Sequence, residues 1–345
     1  MYLARGDVDG AKRVLETMVG LLNSDGFLAR GIVEDGTSHG KSCVDGTLWL
    51  FEVARQLVGK LGAGDPFIAQ RLYPTLERVF DRITTQKREP AWLTDDGLLA
   101  GAAPNTALTW MDSRAHGELV TPRQGCPVEF QALWFGGTRT LATLAAEYGN
   151  HDLQRRASEV SEQLAATFRQ RFWCEATRYP YDFLTVDGIT TSDADLCDAI
   201  RPNAVLALSV APKLFEPWQA KSIIEVARDH LLTPRGLRTL SPQHPRYIGH
   251  FEGPMAARRA AYHQGVAWVY LLGAFARAAM GVDPNDFELQ MDIHDVVEQA
   301  TQGAPLVGNV AQVASGDAPH QPGGCPAQAW SVAELLRTLV VDLRL

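Results

Sequence analysis

The sequence predicts an all-α protein built from helical hairpins arranged in a ring, and three observations predict it. About ten segments carry apolar residues at helical spacing, almost none reads convincingly as strand, and short connections alternate with long ones. Alternation of that kind gathers the long loops at one end, where functional residues concentrate on a rigid scaffold. An α-solenoid is the competing layout, but no fixed repeat period supports it.

Residues 8–22 open the chain with Ala11, Val14, Leu15, Met18, Leu21 and Leu22 on one stripe. The segment 23–42 is rich in Gly and Asp and reads as a loop. A helix over 43–61 follows, with Asp45 in its first turn and Leu48, Trp49, Val53 and Leu57 inward. Asp65-Pro66 is a cap and first-turn pair opening the next helix, 66–86. Residues 87–127 form a long loop that cannot be helical near its end, because Pro122 and Pro127 lack an N–H and disfavour a helical residue before them. Helical spacing returns over 128–148, with Val128, Leu133, Trp134 and Leu141 on a broad stripe, and a further helix spans 151–171. The stretch 173–201 holds turn chemistry and β-prone pieces, enough for a small hairpin. Helices are expected from 203, over 216–231, 256–280 and 285–302, and over 327–343 after a Gly- and Pro-rich loop at 303–326.

The chain's 345 residues and 46% hydrophobic content suffice for a large core, and no linker divides it. One domain over 1–345 is the reading. A net charge of −8 argues against a nucleic-acid footprint or an anionic membrane surface. No run approaches the about 18 apolar residues that span a bilayer. The opening MYLARGDVDG has no apolar run of the secretory kind. Five scattered cysteines, with no C-x-x-C and no Cys/His spacing suited to zinc, fit a reduced, cytoplasmic protein without metal or cofactor.

The densest chemistry lies in Leu108 to Phe135, LTWMDSRAHGELVTPRQGCPVEFQALWF. An acid flanked by Trp110 and Met111 on an ordered loop, Asp112, either caps the loop, or pairs with Arg114 or Arg123, or is a catalytic carboxylate. Eight tryptophans supply flat apolar faces for core packing or for stacking on a sugar ring.

TWMDS (109–113), VTPRQGCPVEFQALWF (120–135), IRPN (200–203), HLLTPRGLRTLSP (230–242), AYHQGVAW (261–268) and GDAPHQPGGCPAQAWSVAELLR (316–337) resemble the C-terminal glucosidase domain of glycogen debranching enzymes, in order and over nearly the whole chain. The resemblance implies an (α/α)6 toroid and amylo-α-1,6-glucosidase chemistry: inverting hydrolysis of the α-1,6-linked glucose left at a branch point of an α-glucan or limit dextrin. Inversion needs a general acid and, roughly 6.5–9.5 Å away, a carboxylate that activates water. Asp112 matches the general acid, and contact with Trp110 and Met111 would desolvate it and raise its pKa. Gln312 falls where the family carries the base glutamate, and a carboxamide cannot take a proton from water; Asp317 is the nearest substitute. Family members also carry an upstream helix with an Arg-Asp pair, so residues 1–22 match the second helix of the ring and the domain is expected to be N-terminally incomplete, with an upstream domain or a glucanotransferase as partner. Arg258-Arg259 stands where the family tends to have Arg-Asp.

Carried over, Asp45 and Trp49 bind and stack on glucose, with Trp49 as core the alternative. Arg123 and Glu129 hold sugar hydroxyls or pair with one another. Arg201 and Asn203 shape the site or cap the short helix. His263 and Gln264 open a helix and reach hydroxyls, while Trp268 is core. Trp110, Gln328 and Trp330 border the sugar. Gly324-Cys325 reads as tight packing. The alternative function is a glycan-binding relative or fragment impaired in catalysis.

Overall fold

A computed structural model describes residues 1–32, 38–189, 197–302, 306 and 308–344. It is mostly helical, with 52% of residues in helix and 11% in strand. The eleven α-helices among the described residues are α1 (Val8–Gly20), α2 (Val44–Leu61), α3 (Tyr73–Thr85), α4 (Val128–Glu147), α5 (His151–Arg171), α6 (Asn203–Val210), α7 (Pro217–His230), α8 (Met255–Ala261), α9 (Leu271–Val282), α10 (Phe287–Thr301) and α11 (Ala329–Arg337). Side chains satisfy orphan backbone donors at several starts. Asp7 accepts from the Gly10 N–H, Asn150 from Leu153 and Asp286 from Leu289, and Glu216 with Gln219 completes a capping box. Asp65 caps its segment as expected, accepting from the N–H groups of Phe67 and Ile68. That segment begins as a π-helical turn, Ile68–Leu72, before α3.

Helix α4 is apolar almost all round, with Trp134 fully buried, which marks it as central. It packs against α2, α3, α5 and α6. Helix α6 continues to α9, and α9 to α11, so α2, α4, α6, α9 and α11 are neighbours in succession. Of the helices between them in sequence, α3 and α5 pack on α4, and α7 and α10 on α9, while α8 packs on β5 (Arg114–Ala115).

Three expectations are corrected. The chain is richer in strand than its pattern suggested, because pieces of two to six residues pair across loops. These are β1 (Leu28–Ile32) with β2 (Ser38–Cys43), β3 (Ala91–Leu93) with β4 (Leu99–Gly101), β5 (Arg114–Ala115) with β6 (Glu118–Leu119), β7 (Cys126–Pro127) with β10 (Phe183–Leu184), and β8 (Trp173–Cys174) with β9 (Tyr179–Pro180). The first pair lies within the stretch read as pure loop, of which residues 33–37 fall outside the described part. The β8–β9 hairpin matches the one expected in 173–201, of which 190–196 fall outside. The third correction concerns 256–280. Helix α8 stops at Ala261, Gly265 turns with φ +143°, and residues 267–268 enter a sheet instead of continuing the helix. That antiparallel sheet runs in the order β11 (Leu232–Thr233), β12 (Gly236–Arg238), β13 (Ala267–Trp268), β14 (Val313–Ala314), β15 (Pro322–Gly323). No helix among the described residues is long and apolar enough to cross a membrane.

Candidate active site

The sheet and the loop 102–125 meet at a cluster of aromatic rings. Trp110 lies edge-on to His263, Trp268 and Tyr270, with centroids 5.3, 5.5 and 5.5 Å away. Tyr262 packs on His263 and Trp268, Phe251 stacks on Tyr262, and Trp330 meets Tyr270 at 5.6 Å. The break between α8 and β13 builds this cluster, because it carries Tyr262, His263 and Trp268 on a turn, not along one helix. His263 and Gln264 therefore do not open a helix. Trp330 is 55% exposed; Gln328, the residue before α11, is half-buried.

Behind the rings lies a polar layer with almost no solvent contact. Arg123 Nη1 and Nη2 donate to the two carboxylate oxygens of Glu129 at 2.6 and 2.7 Å. Arg123 Nε donates to Asp182 Oδ2 at 2.6 Å. Asn203 Nδ2 donates to Asp182 Oδ1 at 2.7 Å, and Trp110 Nε1 donates to Asn203 Oδ1 at 2.8 Å. Arg201 Nη1 donates to the carbonyls of Thr239 and His263, and its Nη2 to Gln264 Oε1 at 2.9 Å. The Arg201 guanidinium also approaches Asp182, Nε to Oδ2 at 3.8 Å. The Ser113 N–H donates to His263 Nδ1. Burial alone would lower the Arg123 pKa, but the charges of Asp182 and Glu129 outweigh it and hold the guanidinium well above its ordinary range. Arg123 and Glu129 thus take the paired alternative. Neither Arg201 nor Asn203 caps α6; both point into this layer.

Asp112 stands differently. Met111 is buried, but Asp112 itself is exposed, so the expected desolvation of its carboxyl is not found. The backbone explains it: the Asp112 N–H donates to the Trp110 carbonyl at 3.0 Å, a tight turn that sends Trp110 and Met111 inward and Asp112 out. Its charge is felt by two tyrosines. Burial pushes the Tyr262 phenol well up, with the charge of Asp112 next and Cys325 after it. Burial likewise raises Tyr270, followed by Asp45, Glu129, Glu334 and Asp112.

Asp45 is buried at the start of α2, accepting from the Gly46 N–H, and its own N–H reaches the Leu108 carbonyl at 3.3 Å, joining α2 to the loop of Asp112. Trp49 is half-buried against the core, as its plainer reading had it. Gln312 precedes β14; its Oε1 accepts the Cys325 N–H at 3.1 Å, and its own N–H donates to the Cys325 carbonyl. Gly324 is packed tightly there, since a Cβ on it would lie 2.6 Å from Gln312 Oε1. Asp317, beyond β14, accepts from the Tyr247 hydroxyl at 2.8 Å and lies 3.6 Å from His250 Nε2. Burial first and that carboxylate second push the Tyr247 phenol up to about 12. Cys43, Cys126, Cys174, Cys197 and Cys325 form no disulfide.

Asp182 is the functional candidate that sequence reasoning missed. Its signal was an acid inside Tyr179-Pro180-Tyr181-Asp182-Phe183, a β-prone aromatic run in which a charge has no local use. Tyr262 and Tyr270 were missed as well, although both flank motif residues.

The family model of Amylo-alpha-1,6-glucosidase matches residues 1–337. The glycogen debranching enzyme of Saccharomyces cerevisiae (strain ATCC 204508 / S288c) is 26% identical over 264 residues, which is 66% of this chain and 17% of the yeast protein. The match therefore covers less than one-fifth of that relative's length. A profile that fits nearly every residue from the first helix through α11, on a helical scaffold with aromatic rings beside an exposed acid, identifies the protein: the chain belongs to the amylo-alpha-1,6-glucosidase family of glycoside hydrolases.

Proposed function

We propose that the chain is an α-1,6-glucosidase of glycogen and α-glucan breakdown, working in the cytoplasm as one (α/α)6 toroidal domain. It hydrolyses, with inversion, the single glucose that a 4-α-glucanotransferase leaves at a branch point. The succession of α2, α4, α6, α9 and α11, with one helix between successive members except for α7 and α8 between α6 and α9, supports the toroid. The observation that carries the activity is Asp112, an exposed acid on the loop of Trp110 whose charge helps raise the Tyr262 and Tyr270 phenols, with the buried Arg123 behind it paired to Glu129 and Asp182. Aromatic faces hold the sugar by stacking; the acid protonates the leaving oxygen. Trp330 borders the sugar from α11, with Gln328 just ahead of that helix, and Asp45 from the start of α2. Arg123, Glu129, Arg201, Asn203, His263 and Gln264 fix the wall from behind.

Gln312 favours a second reading, a glycan-binding relative that turns substrate over slowly. Its neutral amide is tied to the Cys325 backbone and accepts no proton. Asp317, the substitute base, is engaged by Tyr247.

Glucose release from a branched limit dextrin decides between them. The enzyme reading expects release by the wild type, lost at least about 100-fold in Asp112→Asn and raised on the order of 10²-fold in Gln312→Glu. Maltooligosaccharide binding without release by the wild type, with activity appearing only in Gln312→Glu, establishes the second reading. Unchanged release in Asp112→Asn removes Asp112 as the acid.

A further inference from the structure

We propose that Asp182 is a positioning residue of this site: its charge sets which way the Asn203 amide faces, and through that amide it pins Trp110 and the turn that carries Asp112. The inference rests on the reading of Trp110 and Asp112 as the sugar site. An ionised carboxylate only accepts hydrogen bonds, and an indole N–H only donates. Between the two stands an amide with one end of each kind. Asn203 must turn its NH2 to Asp182 Oδ1, 2.7 Å away, and its carbonyl to Trp110 Nε1, 2.8 Å away. The reverse orientation would set a carbonyl against a carboxylate and two donors against each other, so only one orientation survives. The second amide hydrogen has Met111 Sδ at 3.6 Å.

Asp182 can dictate this because it is itself immobile. It is 2% exposed, gripped by Arg123 Nε and Nη2 at 2.6 and 3.2 Å, and its backbone carbonyl accepts from Arg123 and from the Val128 N–H that starts α4. The rigid chain then runs from α4 through Arg123, Asp182 and Asn203 to the Trp110 ring, and from the Trp110 carbonyl to the Asp112 N–H at 3.0 Å. Trp110 is only half-buried, so its edge-on contacts leave the ring free to tilt; the indole hydrogen bond removes that freedom.

The test uses protein labelled with 15N-tryptophan, in which the Trp110 Nε1–H resonance is assigned by its loss in Trp110→Phe. In Asp182→Asn the neutral amide accepts or donates equally, so Asn203 loses its fixed orientation. The resonance is expected to shift or split, and kcat on the limit dextrin to fall on the order of 10- to 100-fold while KM changes less than about threefold, as for misplacement of a reacting group. Asn203→Leu should do the same, and the double variant should be no worse than the poorer single one, because both act on one chain of contacts. An unmoved Trp110 resonance in folded Asp182→Asn, or losses that multiply in the double variant, overturns the proposal. If Asp182→Asn does not fold, Asn203→Leu decides: wild-type kcat there overturns it equally. A wild type that releases no glucose sinks the functional reading, while the resonance still decides the role of Asp182.

Discussion

Arg123 is held by Glu129 on one side and Asp182 on the other, and all three side chains are at most 2% exposed. Removing water from three charges is expensive, and the geometry recovers it through short bidentate contacts. The ledger is asymmetric: a hydrophobic replacement of the whole group can be nearly neutral, whereas loss of one member strands its partners. Arg123→Met should therefore cost about 3–5 kcal/mol, because two carboxylates remain buried without their cation. Urea unfolding measures it. Arg155→Ala, which breaks an exposed network with Asp152 and Glu159, should leave the midpoint unchanged. Equal losses in the two variants would mean that the buried group is hydrated in solution.

At the scale of elements, the turn that delivers Arg123 depends on Gly125. Its φ is +127°, and a Cβ there would lie 2.3 Å from the Leu184 carbonyl oxygen of β10, a backbone atom that cannot yield. Gly125→Ala should destabilise by about 1–3 kcal/mol from backbone strain alone. Gly136, in the middle of α4, faces open space, so Gly136→Ala should stabilise by about 0.5–1 kcal/mol. Thermal unfolding of the pair gives opposite signs; the same sign for both would remove the steric argument. The same contrast shows what the sequence could express. The long helices were legible because α2, α4, α5 and α7 carry apolar residues at helical spacing, and α5 and α7 also carry local caps. The break after α8 was not, since VAWVYLLGAFA (266–276) is an almost continuous apolar run, and buried strand and buried helix look alike by periodicity. What ends the helix is Gly265 and the pairing of Ala267 and Trp268 with residues near 238 and 314, partners no local pattern announces. The site divided likewise. Asp112 and Trp330 stood out from their motifs, but Asp182 owes its role to Arg123, 59 residues away.

Among the described residues the main cluster of buried apolar side chains runs from Leu15 in α1 to Leu335 in α11, with Ala199 and Leu240 forming a small one apart. The candidate site draws on residues from Asp45 to Trp330, so its geometry is a property of the assembled chain and not of any one helix. Stability and sugar binding are nonetheless separable by position. Trp134 is fully buried in α4, stacked on Phe80 at 5.8 Å and edge-on to Phe51 at 5.7 Å. Trp134→Ala leaves a cavity in the core and should cost about 3–5 kcal/mol. Its ring neighbours, Phe51 and Phe80, are core residues and not members of the candidate site, so the KM of whatever enzyme remains folded should stay within about twofold. Trp330 offers the reverse case, with more than half of its surface in water and Tyr270 as its ring neighbour. Trp330→Ala should leave the unfolding midpoint within about 0.5 kcal/mol of wild type, as surface changes do. It should weaken maltooligosaccharide binding by about 1–3 kcal/mol if the indole stacks on the sugar, read by titration calorimetry on folded protein, the magnitude that loss of one stacking aromatic produces elsewhere. Undiminished binding in Trp330→Ala would take α11 out of the sugar site and leave the rings of Trp110, Tyr262 and Tyr270 to form it alone.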